Sequence, residues 1–120
     1  MCLIILSIKK ETDWSGKESN FFTLAANRDE YHDRPTSQLG WWGDKEILAG
    51  KDELAGGTWL GFSKSGRFAA LTNYKENTSK EFKLSRGFLV TDFLDSNQSA
   101  KSYLESLNGK DYAGFNLIVG

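Results

Sequence analysis

One cysteine, one proline and one histidine stand among 120 residues, and each scarcity excludes something. Cys2 alone cannot form an internal disulfide. His32 and Cys2 together do not supply the several ligands of a zinc or iron centre, so neither metal nor resident cofactor is expected. With Pro35 the only proline and no low-complexity tract or repeat, nothing marks an interdomain linker, and one structural unit over 1–120 is expected. Charge of one sign is missing as well. Lys+Arg 15 against Asp+Glu 16 leaves a formal net charge of −1, which speaks against nucleic acid or an anionic membrane surface as partner. The apolar run Cys2 to Ile8 is too short for a membrane span and lacks the basic front of a signal peptide. The expected compartment is therefore the cytoplasm and the expected partner a small molecule.

What is present reads as strands first and helices later. Cys2–Lys9 and Asn20–Asn27 are apolar runs separated by the polar stretch KETDWSGKES, the pattern of a hairpin with a long connection. Arg28–Gly40, RDEYHDRPTSQLG, has neither hydrophobic period and reads as a loop long enough to carry a site. A short strand follows at Ile47–Ala49. Thr58–Ser63 and Arg67–Thr72 form a second hairpin around Lys64-Ser65-Gly66, with glycine where a positive φ is needed. Gly56-Gly57 lacks the strand, helix and spacing of a phosphate loop and reads as a bend where backbone passes closely.

Ser85–Leu94 places Phe88, Leu89, Val90 and Phe93 on one helical face, and Ser99–Leu107 places Tyr103, Leu104 and Leu107 on another before an Asn108-Gly109 stop. GFNLIVG closes the sequence as a strand. The order predicts an α+β fold, an antiparallel sheet with the helices on one face.

Cys2 can be placed from the first hairpin alone. If Lys9 faces Asn20, antiparallel pairing sets Cys2 opposite Asn27 to within a residue or two. Asn27, Arg28, Asp29 and Glu30 then emerge beside the thiol. Removal of Met1 would leave an α-amine of pKa ~8 next to a thiol of ~8.5. That amine can serve as local base, Arg28 would favour the thiolate, and a carboxylate could hold the ammonium. The competing reading is a small buried hydrophobe. Arg34 is expected to pair with Glu30 or Asp33 while Pro35 fixes an extended exit. His32 reads as a solvated loop residue, with axial haem ligation as the functional alternative. Trp41, Trp42 and Trp59 read as core, or else as the lining of an acyl or macrocycle pocket.

MCLIIL, LAANRDEYHDRP, GGTWLGFSKSGRFAALTNY and YAGFNLIVG closely resemble the NRDE family, also called the transport and Golgi organisation protein 2 family. The resemblance spans nearly the whole sequence. It implies kinship with N-terminal nucleophile hydrolases of the bile-salt and penicillin amidase type, an αββα sandwich with the cysteine opening a central strand, and a family domain about twice this length. It further implies Cys2 as nucleophile, Asp29 as partner of the α-amine and the Asn73 backbone N–H in an oxyanion hole. In those amidases an arginine occupies the position of Ala26, and here the arginine is Arg28. Asn27, Glu30 and Trp59 complete the set as substrate-binding candidates. The alternative implied by the family is a non-catalytic carrier or chaperone of haem or acyl and lipid ligands, linked to secretory-pathway organisation.

Overall fold

The structure, a computed structural model, describes residues 2–76 and 80–120. It contains two antiparallel sheets and two α-helices, the α+β mixture expected from the order of elements. The chain divides into two compact units, 1–30 and 31–120.

The first unit is a hairpin of β1, Leu3–Thr12, and β2, Glu18–Asn27. Both strands outrun the apolar stretches that announce them. Lys9 pairs with Phe21 and Leu3 with Asn27, one residue from the register read off the sequence. Asp13 shapes the turn. Its carboxylate accepts the backbone N–H of Ser15 at 2.8 Å and of Lys17 at 3.0 Å, and Gly16 takes φ +83°. Serine and backbone donors hold the Asp13 carboxyl below its usual value.

The second unit is a five-stranded sheet in the order β3-β4-β5-β6-β7, every neighbour antiparallel. Its strands are β3 Thr36–Trp41, β4 Ile47–Asp52, β5 Leu60–Ser63, β6 Phe68–Asn73 and β7 Phe115–Val119. All of β3 but Trp41 lies inside Arg28–Gly40, the stretch expected to be loop. It has no clean alternation because it is an edge strand whose register slips between Ser37 and Gly40, and a bulge erases the period of two. At the β5–β6 turn Gly66 has φ +88°, as its place demanded.

Helix α1, Gly87–Asp95, packs on the sheet, and α2, Ala100–Ser106, follows. The core joins Ile47, Ala49, Ala69 and Leu71 of the sheet to Leu89, Val90, Phe93, Leu94 and Tyr103 of the helices. Small sheet residues set how closely α1 approaches. A Cβ on Gly61 would come 3.0 Å from both Leu94 Cδ1 and Ala49 Cβ. The Tyr103 ring lies 5.2 Å from that of Phe93 at a tilt of 57°, and Tyr103 donates its hydroxyl to the Leu89 carbonyl at 2.8 Å; burial, then the negative charge of Asp92, push that phenol up. Phe88 and Leu104, expected on the buried faces, are 37% and 46% exposed. The Phe88 ring lies by Gly56 at the edge of the unit, and Tyr103 alone of α2 is buried.

The Gly56-Gly57 bend is a place of close backbone passage. Gly56 takes φ +83°, and a Cβ on Gly57 would fall 2.5 Å from the Gly87 carbonyl carbon. Arg67 fastens the β5–β6 hairpin to the helices, its guanidinium 4.0 Å over the Phe93 ring and Nη2 donating to the Gln98 carbonyl at 2.6 Å.

Candidate functional site

β1 and β2 deliver Cys2 and the Asn27–Glu30 segment to one end of the hairpin. The Asn27 side chain closes that end. Its Oδ1 accepts the Leu3 N–H at 2.8 Å, satisfying the first backbone donor of β1. Asp29 then passes in front of the sulfur. Its backbone N–H donates to Cys2 Sγ at 3.3 Å, and its carbonyl stands 4.0 Å from the same atom. Cys2 is half-buried. A backbone N–H directed at sulfur gives it a hydrogen bond, and a half-buried position leaves room for an electrophile to arrive.

Arg28 and Glu30 flank this pair. Arg28 Nη2 is 3.9 Å from a Glu30 carboxylate oxygen, with both side chains about one-fifth exposed. The guanidinium expected to serve the thiolate thus has a carboxylate neighbour two residues on. Tyr31, in the loop beyond, is 82% exposed.

The remaining candidates belong to the second unit. Asn73 ends β6, paired with Phe115 and exposed. Trp59 immediately precedes β5, half-buried, with its ring 2.8 Å from where a Gly50 Cβ would stand. None of the three tryptophans expected in the core is fully buried: Trp41 is 59% exposed, and Trp42 and Trp59 are half-buried. Among the described residues no group of three or more His, Cys, Asp and Glu could hold a metal ion. No described helix is long and apolar enough to cross a membrane.

Arg34 and Asp52 are a pair that the sequence did not single out. Arg34 Nε donates to Asp52 Oδ2 at 2.8 Å. Asp52 Oδ1 accepts the backbone N–H groups of Leu54 and Ala55 at 3.1 and 3.0 Å. Burial pushes the Asp52 carboxyl up, but Arg34 and the two amides outweigh it and hold the group below its usual value. The Glu53 N–H also donates to the Pro35 carbonyl at 3.0 Å. The exit of the signature loop is therefore pinned at two points. The only signal for this in the sequence is an Asp two residues before Leu54-Ala55-Gly56, an Asx-turn pattern.

Comparison with known proteins decides the family. A model of the family described as Transport and Golgi organisation 2 matches residues 1–120. The chain belongs to that family. The Homo sapiens Transport and Golgi organization protein 2 homolog is 42% identical over 125 residues, and the Mus musculus homolog 41% over 125. A more distant relative, the Drosophila melanogaster Transport and Golgi organization protein 2, is 28% identical over 130 residues. The matches take in 98–99% of this chain but 45% of each relative, so the chain spans about half the length of the Transport and Golgi organisation 2 proteins it resembles.

Proposed function

We propose that the chain carries the nucleophile of a cysteine amidohydrolase acting on a linear amide C–N bond. The observation that supports this reading is the Asp29 backbone N–H donating to Cys2 Sγ at 3.3 Å on a half-buried thiol. With Met1 removed, the Cys2 α-amine takes the thiol proton as sulfur attacks the amide carbonyl carbon and the S–C bond forms. The C–N bond then breaks, and the ammonium returns its proton to the leaving nitrogen. Water hydrolyses the thioester, releasing a carboxylic acid and restoring the thiol.

In this scheme the Asp29 carboxylate orients the amine. Arg28 favours the thiolate, and Asn27 and Glu30 contact substrate. A second reading, non-catalytic carriage of an acyl or haem ligand, is supported by Leu3, Ile5 and Ile8, which are 57%, 59% and 66% exposed on the strand that follows Cys2.

The test is acyl capture. Full-length protein is incubated with an activated acyl amide or ester, quenched in acid and weighed intact. A hydroxylamine-labile acyl adduct on Cys2, absent in Cys2→Ser, is the expected result. Saturable ligand binding that survives Cys2→Ser, with no adduct at any time, would favour the carrier.

A further inference from the structure

Strands β3 and β4 build a separate cleft within the second unit. Ser37 faces Lys51 and Gly40 faces Ala49, so Gln38 and Leu39 stand opposite Gly50 alone. This two-against-one count is a β-bulge, which bends a strand and re-aims its side chains. Beside it opens a cleft of about 230 Å³ whose lining includes Gln38, Gly40, Trp42, Asp44 and Lys51.

Trp42 forms a fixed wall. It packs against the core, and its indole Nε1 donates to the Ala49 carbonyl at 3.3 Å. Lys51 Nζ stands 5.4 Å from the centre of that ring. The Lys51 side chain belongs to a half-buried residue, yet among the described residues it has no carboxylate within ion-pair distance, unlike Lys9, Lys45, Lys64 and Lys101. The Gln38 carboxamide likewise makes no hydrogen bond among the described residues, while the Ser37 hydroxyl at the cleft wall is taken by the Glu53 carboxylate. A ring face gives an ammonium only part of the stabilisation of a full counter-charge. An anion placed in the cleft would supply the rest and would meet Gln38 as a second donor.

Two features narrow the anion. The volume suits a ligand the size of an amino acid and is too small for a lipid. The Asp44 carboxylate in the same lining opposes a second negative charge and can accept from an ammonium or hydroxyl. We propose that this cleft binds a small 2-amino or 2-hydroxy carboxylate, its carboxylate on Lys51 and Gln38 and its body against the Trp42 ring. The proposal is independent of the chemistry at Cys2.

The test is a titration of ¹⁵N-labelled protein with lactate, alanine and inorganic phosphate. Lactate or alanine is expected to shift the Trp42 indole and Gln38 carboxamide signals saturably. Lys51→Met should weaken that binding about tenfold or more, while Lys64→Met, a surface lysine outside the cleft, should leave it unchanged. Phosphate binding as tightly as the carboxylates overturns the ligand class. Absence of a saturable shift with both carboxylates, or an equal loss in Lys64→Met, overturns the site. Should Lys51→Met lose its dispersed spectrum, Gln38→Ala replaces it: several-fold weaker binding is expected, and unchanged affinity overturns the proposal.

Discussion

The backbone N–H of Asp29 donates to the sulfur of Cys2 at 3.3 Å. The contact spans twenty-seven positions of sequence and follows from the pairing of two strands, since Leu3 opposite Asn27 leaves Cys2 and the residues after Asn27 at the same end of the hairpin. It separates two roles of one residue, because the N–H belongs to the backbone and the carboxylate to the side chain.

Asp29→Asn keeps the N–H and removes the negative charge; Asp29→Pro removes the N–H. Alkylation of Cys2 by a small electrophile should slow in both. The proline variant should be slower by about tenfold or more, the scale of a hydrogen bond to a charged group. Equal rates in Asp29→Pro and the parent protein would show that the amide does nothing for the sulfur.

Asn27 is expected to act through β1. Asn27→Ala leaves the Leu3 N–H without the acceptor it has at 2.8 Å, which should cost about 1 kcal/mol. Amide exchange should accelerate at Leu3 while that of the β6–β7 ladder is unchanged.

Gly57 and Gly109 should differ in their response to alanine. A Cβ on Gly57 would sit 2.5 Å from Gly87 backbone, whereas one on Gly109 meets nothing within 4 Å. Gly57→Ala should destabilise by about 1–3 kcal/mol or more, as overpacking does, and Gly109→Ala should leave the urea midpoint nearly unchanged.

The Arg34–Asp52 pair predicts an acid limb in stability. The folded Asp52 carboxyl is held below its ordinary value, so its contribution is complete above the unfolded pKa of about 3.9 and is lost as pH falls through the lower folded value. Asp52→Asn should flatten this limb below about pH 4 and cost about 1–3 kcal/mol near neutrality. Urea midpoints measured across pH give both numbers.

Much of this architecture was legible because hydrophobic period and turn chemistry are local. The apolar runs located β1 and β2 and nearly their register. Gly66 marked the β5–β6 turn, and Ser99 marked the start of α2, where its side chain accepts the Ser102 N–H at 3.1 Å. The site neighbourhood was readable for the same reason, since Cys2 and Asp29 are joined by one hairpin. β3 was hidden because its bulge breaks alternation. The Asp52 partner of Arg34 was hidden because an ion pair across eighteen residues of strand and loop leaves no period. Phe88 looked like core because helical spacing cannot distinguish a ring over the sheet from one beside Gly56.

The most direct measurement is the intact mass of natively folded full-length protein before and after brief treatment with iodoacetamide, set beside the same treatment in denaturant. A nucleophilic Cys2 with a free α-amine predicts a starting mass without Met1 and one carbamidomethyl group gained on Cys2 in the native state. Retention of Met1, or modification of Cys2 only after unfolding, would contradict it.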